Sequence, residues 1–597
     1  MLEAKARDVP ATHDCSNLVS KLLSLWSCGQ ISATAAQQLA HCAILDGANH
    51  PELGALAATG AWGSQPGNVH RDLCTTFCSN VSIPEPFMCA TEALDPKTTT
   101  IEKVFAGVFN PHSMFHQLQQ YSEFTTMFCT SKIETFWQSV EQSQDPRLVG
   151  HEMLTVPGWK KLFIPCFIHG DGVEYHNRDS LMVYHWGCIL STMGSLDGSL
   201  LLAAFPKSAT AKKTNSSTGT WDPILETIVW SFQAAFQGKH PTSLPDGSVF
   251  PKGSDMERLA GKPLHPQGLR IAIWCLQGDA EYFSNVLGLP HWATDEICAD
   301  CDTRCSDPTK SWRELRSTKW GWTTKTVEEV RACPPDHLFF HLNSVTSKTV
   351  CHDPLHVLFS KGILAHMLGS VLHTLCFPQK GRQIVPPKQR LGIIFSRVQE
   401  IYHDTNPASR ITNLHLSMFM DENSHWQQGS WPFLKTKASE TKHLLPCLAV
   451  ISAEVSDGSE VDERRTAALV AIHNYVRLMD TAGIVPTVAE GEAFETLCYE
   501  FLGHYQWLHN WAQGHDRPEY HITSKFHMFV HMSQNAKYLN PRFFWCFKAE
   551  DYVGRISTIA HSVSMGVRST LISIKLCSKY RFCIHLRLDR EVYDDFE

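Results

Sequence analysis

No uninterrupted apolar run in this 597-residue sequence approaches the roughly 18 residues that a membrane span needs, so an integral membrane protein is not expected. The N-terminus, MLEAKARDVPATHDC, lacks the apolar core of a secretory leader, and export is not expected either. Charge is modest, at 19% of residues against 43% hydrophobic, which excludes a disordered chain and fits a soluble globular one. A basic excess is missing too. Lys+Arg number 52 and Asp+Glu 60, for a formal net charge of −8 with the 32 histidines neutral. That balance argues against a protein that coats nucleic acid without specificity, but a local basic groove stays open, because steering depends on where charges sit. There is no internal repeat and no low-complexity tract. Cysteine is not scarce. The 21 cysteines are odd in number and scattered, and without a leader they read as reduced thiols, some of them metal ligands.

Residues 1–150 read as a mostly helical region. Leu18–Trp26 and Ile31–Ala43 carry apolar residues at helical spacing, with Ser32 as an N-cap, and Gly54–Pro66 reads as loop. Cys74 and Cys78 are a lone Cys-x3-Cys, a weak metal signal, and no zinc-finger array or helix-turn-helix is visible there. From 158 the pattern changes. Leu162–His169, Leu181–Leu190, Ser199–Phe205 and Leu269–Leu276 are short apolar runs that read as strands. Between the third and fourth runs lie a polar loop, Lys207–Thr220, and a helix to about Phe236, with Asp222 as N-cap and Pro223 at its first position. Residues 158–297 therefore form the first part of an α/β core. Residues 298–540 read as mostly helical, through Asp353–Leu375, Glu460–Met479 and Ala493–Gln513; Ser456–Glu463 is an acidic turn and Lys380–Arg390 a basic, Pro-containing loop. Residues 541–597 supply a last helix and the end of the core.

Two strands end alike. In Ile168-His169-Gly170-Asp171 and Leu276-Gln277-Gly278-Asp279 a carboxylate emerges just past a buried run, after a glycine that permits close backbone approach. Adjacent strands would set these acids side by side, where their repulsion calls for cations between them, as in Mg²⁺ sites. The bland alternative is a pair of ordinary Asp turns. A third acid, Glu550, follows FFWCF and opens a helix whose apolar positions are Val553, Ile556, Ile559, Ala560 and Val563; on its own it is simply favourable to a helix N-terminus.

Cys298 and Cys301 form a Cys-x2-Cys pair nineteen residues after Asp279, and His527 and His531 lie four apart, ending nineteen residues before Glu550. One Cys pair and one His pair make a closed tetrahedral zinc set. Cys305, Cys351, His352, His356 and His521 are other candidates, and unrelated Cys and His in a chain rich in both is the plain alternative.

The order of these motifs resembles the DDE/D transposases with RNase H-like cores, and more narrowly the CACTA group with its Transib and V(D)J recombinase relatives. Cys298/Cys301 and His527/His531 fall where those proteins place their Cys and His pairs. Asp353-Pro354-Leu355-His356 matches their C/D-x-x-H motif. Phe526–Ile559, with HMFVHM, PRFFW and AEDYVG, is similar to the C-terminal block of CACTA-type proteins. The resemblance covers roughly 160–590 at motif level. Two departures stand: Asp551 follows the third acid where relatives often have Arg, and no DNA-binding finger is visible at the N-terminus.

The resemblance implies an RNase H-like mixed sheet with a large all-α insertion between the second Asp and the catalytic Glu. Asp171, Asp279 and Glu550 would hold Mg²⁺ (or Mn²⁺), and Cys298, Cys301, His527 and His531 a structural Zn²⁺. The activity implied is DNA strand cleavage and transfer by two-metal phosphoryl transfer, on transposon ends and target DNA, by a homo-oligomer in the nucleus and away from membranes. Three alternatives remain open: a catalytically inert domesticated descendant that binds DNA or chromatin, an RNase H-fold nuclease acting on RNA or hybrids, and a zinc-stabilised helical scaffold with no nucleic-acid partner.

Overall fold

Apolar runs buried on both faces become strands, and in this chain they assemble into one mixed sheet. The computed structural model describes residues 16–61, 67–78, 81–176, 179–215, 217–377, 385–420 and 431–589. Helices α1 (Asn17–Ser27), α2 (Ala33–Leu45), α3 (Pro51–Ala57) and α4 (Val69–Phe77) pack around a small core of their own that includes Leu22, Trp26, Ala36, Leu53, Leu73 and, from the far end of the chain, Leu586. Ser32 caps α2 as expected, its hydroxyl accepting the amide of Ala35 at 3.0 Å. The expected loop Gly54–Pro66 is shorter than read, because Pro51 starts α3 and carries the helix to Ala57; residues 62–66, like the N-terminal fifteen, lie outside the described residues.

The region read as helical also contains an antiparallel hairpin, β1 (Phe87–Leu94) and β2 (Ile101–Val108). It joins β3 (Phe163–His176), β4 (Asp179–Cys188), β5 (Leu200–Pro206) and β6 (Arg270–Gln277) in the order β1-β2-β5-β4-β3-β6. Neighbours run antiparallel except β3 and β6, which run parallel with His169 opposite Gln277. The four expected strands are therefore present, and the first and fourth are adjacent; β3 runs beyond its expected end at His169 to His176, so Asp171 lies within it, opposite Val183 of β4.

Helix α5 (Trp221–Gln237) begins one residue before the expected N-cap Asp222. Thr220 stands at that position without a side-chain cap, because its hydroxyl is engaged elsewhere: it donates to Glu92 O at 2.6 Å and accepts from Ala211 N at 2.8 Å. Asp222 pairs instead with Lys213 at 2.6 Å.

The segment 298–350 is mostly irregular, with one short α-helix (Val327–Ala332), 3-10 turns and isolated bridges such as Cys301 with Thr324. Helicity resumes with a π-helical turn at Leu355–Phe359, a break at Ser360–Gly362, and α6 (Ile363–Cys376). Contrary to the sequence expectation, Leu355–Cys376 is long and apolar enough to cross a membrane by length and composition; 78% of its most apolar 18-residue stretch is buried inside the fold, where its apolar surface is already covered. The expected loop Lys380–Arg390 is cut short by a helix beginning at Pro387, and residues 380–384 lie outside the described residues. There follow α7 (Glu460–Thr481), α8 (Val488–Gly514), α9 (Ser524–Asn535), α10 (Phe547–Ser564) and α11 (Ile572–Asp589).

Successive strand residues face opposite sides of a sheet. Trp186 meets Phe232 of α5, while its neighbour His185 meets Tyr552 of α10, so the two helices cover opposite faces. Alongside α10, the Tyr580 hydroxyl of α11 accepts the amide of Leu201 at 3.0 Å and lies 3.0 Å from that of Tyr552.

Candidate metal centres

The parallel pairing of β3 and β6 sets the first site. Asp171 and Asp279 each follow the paired residues His169 and Gln277 by two positions. The glycine before each acid is required by space. The ring of Tyr282 lies across both, and a Cβ on Gly170 or Gly278 would collide with it; a Cβ on Gly278 would also come within 3.1 Å of Gly170 O. Asp279 caps the short helix Ala280–Asn285, accepting Tyr282 N at 2.6 Å, and Asp171 accepts Gly172 N at 2.6 Å. Both are half-buried, and Glu550, in the first turn of α10, is more exposed.

The three acids share one electrostatic neighbourhood. Burial, with the charges of Asp279 and Glu550, pushes the Asp171 carboxyl up to about 6. Burial likewise raises Glu550, helped by Asp353 and Asp279 and opposed by His356. Burial and mutual repulsion thus both disfavour the charged forms of these carboxyls.

His356 is not a zinc ligand candidate in this fold. Its Nε2 lies 3.2 Å from Glu550 Oε1, and its Nδ1 donates to Asp353 Oδ2 at 2.6 Å. Burial disfavours the imidazolium, but the bond to Asp353 and the charges of Asp353, Glu550 and Asp279 raise its proton affinity overall. Asp353 is buried and also accepts the backbone amides of Leu355 and Cys546, at 2.9 and 2.8 Å. It thus ties the Asp-x-x-His turn to the start of α10 and to the register of Glu550. Asp551 points elsewhere, accepting from Ser195 and from Arg555 at 2.8 Å.

One cation near the acids was missed in the sequence. Lys525 of α9 donates to Lys361 O at 2.8 Å; burial lowers it to about 8, against the pull of Asp279 and Asp353. Its one sequence signal is its place two residues before His527, on another face of the same helix.

The second site is a closed cluster. One ligand atom each from Cys298, Cys301, His527 and His531 lies within 4.8 Å of the others, and all four residues are buried. His527 Nε2 is 3.2 Å from Cys301 Sγ and 3.1 Å from His531 Nε2. These separations and this donor set fit a tetrahedral metal ion such as zinc. α9 carries the two imidazoles on one face, and the irregular segment brings the thiols to them. Of the shell around the cluster only His352 was a sequence candidate, as a ligand; it stands instead beside the Asp300 carboxylate. Asp300 N donates to Cys298 Sγ at 3.3 Å, and the Asp300 carboxylate lies 3.0 Å from His352 Nε2 and 3.2 Å from Lys348 Nζ. Burial alone would raise Asp300, yet His352, Lys348 and His531 hold it well below the usual carboxylate range. Burial raises the Cys298 thiol. His531 is raised despite its burial, by Cys298 and Asp300. Trp322 closes the cluster, its ring 5.0 Å from that of His527 and 5.3 Å from that of His531.

The other candidate ligands lie apart. Cys305 is exposed and accepts from Trp312 Nε1 at 3.2 Å, His521 stacks on Trp431 at 4.7 Å, and Cys351 bonds to Thr349 O at 3.6 Å. Cys74, of the Cys-x3-Cys, lies 3.7 Å from His70 Nδ1. No family model matches the chain, and no curated protein is significantly similar to it.

Proposed function

We propose that the chain is a DDE-type polynucleotidyl transferase with an RNase H-like core, and that Asp171, Asp279 and Glu550 hold Mg²⁺ or Mn²⁺ for DNA strand cleavage and transfer. The observation that carries this reading is the group of acids just past the point where the parallel pairing of β3 and β6 stops, where Asp279 and Glu550 both raise the proton affinity of Asp171. Two such ions, when bound, supply a nucleophilic oxygen and neutralise the leaving oxygen of an in-line displacement. The chain's own residues do the rest. Asp171 within β3 and Asp279 just after β6, each accepting a backbone amide, set the position of the acids. Glu550 approaches from α10, and Asp353 with His356 fixes its register. Lys525 adds a positive charge beside the acids, suited to a phosphate oxygen. The four-ligand zinc cluster joins the segment after β6 to α9, so the elements that flank Glu550 are tied to the sheet. Duplex DNA is the proposed substrate, the nucleus the proposed location and a homo-oligomer the proposed working state.

The test is nicking of duplexes carrying the element's terminal sequences, with and without divalent ions. Wild-type protein is expected to nick only with Mg²⁺ or Mn²⁺. Glu550→Gln is expected to lose at least about a hundredfold in rate, the scale of removing one transition-state electrostatic contact, whereas Asp551→Asn keeps most activity. Binding without nicking under every metal favours the domesticated, inert descendant, a reading for which the −8 net charge gives no help on affinity.

A further inference from the structure

We propose that Cys28 and Cys583 are a peroxide-responsive thiol pair, in which Cys28 is oxidised and Cys583 closes a disulfide that staples α1 to α11. The two sulfurs lie 3.5 Å apart although 555 positions separate them in the chain. Cys28 sits at the C-terminal cap of α1 and is half-buried, within reach of a small oxidant, whereas Cys583 is buried. The surroundings assign the roles. The hydrogen bond from Cys583, with Arg587 and Ser27, brings Cys28 down to about 6 against the effect of burial. The same bond and burial hold the Cys583 thiol well above its usual value. Arg587 is fixed beside the pair by Asp197, with contacts of 2.6 and 2.8 Å. Cys28, the more accessible sulfur and the one beside Arg587, is therefore assigned as the attacking thiol and the buried Cys583 as the resolving one, an arrangement in which the two sulfurs already touch.

The chemistry balances with hydrogen peroxide as oxidant. The Cys28 thiolate attacks one peroxide oxygen, an S–O bond forms, the O–O bond breaks, and hydroxide leaves to become water with a proton from solvent. Cys583 then attacks the Cys28 sulfur; the S–S bond forms, the S–O bond breaks, and the departing hydroxide takes the Cys583 proton as a second water. Two thiols are oxidised and one peroxide is reduced. The link would be felt at the proposed active site's helix. Gly29, next to Cys28, packs so closely on α10 that a Cβ there would come within 2.7 Å of Thr558 O. The inference is independent of phosphoryl transfer, because it needs neither metal nor DNA.

The experiment uses the full chain. Competitive alkylation with iodoacetamide at pH 6.5 compares Cys28 with the exposed Cys42, Cys305 and Cys333. Cys28 is expected to react at least about tenfold faster, because Cys583 and Arg587 hold its thiol down to about 6. Hydrogen peroxide, followed by alkylation and peptide mapping without reductant, is expected to yield a Cys28–Cys583 linked peptide that dithiothreitol releases. Cys583→Ser should stop at a sulfenic acid on Cys28 that dimedone traps. Equal alkylation rates, a linked peptide joining Cys28 to Cys74, or no link in wild-type protein under peroxide would each overturn the proposal. The alkylation and mapping on wild-type protein stand even if a variant fails to fold.

Discussion

Asp279 has two duties at once, capping Ala280–Asn285 through its bond to Tyr282 N and facing the other acids. Asp279→Asn keeps the cap oxygen but removes a charge. Metal-dependent nicking should therefore vanish while folding persists, and without divalent ions the melting temperature should stay level or rise slightly, since one repulsion is gone. A thermal scan beside the nicking assay reads both, and a variant that nicks normally would remove Asp279 from the site. Glu519 has a different electrostatic role. It is fully buried and accepts from Arg517 at 2.6 and 2.8 Å, with His373 Nδ1 2.6 Å away. Burial opposes its charge, yet Arg517 and His373 lower its proton affinity below the usual glutamate value. A depressed folded value means that Glu519 contributes stability in full above about pH 4.3, the unfolded reference. That stability is lost as pH falls through the depressed value. Glu519→Gln should cost on the order of 3 kcal/mol at pH 7, the scale of breaking a buried pair. The gap between wild type and variant in urea unfolding should narrow below pH 4. A gap independent of pH from 7 to 3 would show that packing, not charge, is what the substitution disturbs.

At the scale of elements, the Cys/His cluster, which could hold a metal ion such as zinc, is a clasp between α9 and an irregular segment that has little regular hydrogen bonding of its own. Cys298→Ser should lower bound zinc from about one equivalent to near none, and chelation of wild-type protein should give a similar loss of several kcal/mol, because a closed structural site contributes its binding energy to folding. Zinc content by elemental analysis decides this, and full zinc in Cys298→Ser would remove that ligand. The clasp was legible because Cys-x2-Cys and His-x3-His carry their spacing in the chain. Asp300 and Lys348 were not, and His352 read as a candidate ligand and not as the partner of Asp300, since these three meet only through the fold. The same division holds for the sheet. β3, β4, β5 and β6 announce themselves as apolar runs because they are buried on both faces for most of their length. β1 and β2 do not. FMCATEAL and IEKVFAGV expose Met88, Ala90, Lys103 and Phe105, contain Ala, Glu and Lys that suit helices, and owe their place to pairing with β5 about a hundred residues on. The two acids could be read from Gly-Asp after an apolar run, although β3 runs on past Asp171 to His176 because its outer half pairs with β4; that His356 serves Glu550 and not zinc could not, because Asp353 and Cys546 are brought together by tertiary contact alone.

For the whole molecule, the N-terminal 110 residues divide into two parts that matter differently to the sheet. α1–α4 have their own small core and meet the rest mainly through α11, where Trp26 stacks on Phe582 at 6.4 Å and Leu586 is buried among them. The hairpin β1–β2, by contrast, covers the edge of β5: Val108 pairs with Ala203, and Phe109 N donates to Leu202 O at 2.8 Å. All seven residues of β5, LLLAAFP, are buried. Removing residues 1–80 should expose Phe582 and Leu586, at on the order of a few kcal/mol of lost burial, yet leave six strands paired; the product should stay soluble, melt cooperatively at a lower temperature and keep its zinc. Removing residues 1–109 takes both outer strands as well and bares an apolar strand edge, the arrangement most prone to pairing with other chains. That product should elute as aggregates and bind thioflavin T, whereas the shorter truncation should not. Size-exclusion chromatography of the two proteins, made side by side, is the measurement. If the longer truncation is as soluble and as cooperative as the shorter one, the hairpin is an appendage and β5 is the true edge of the sheet.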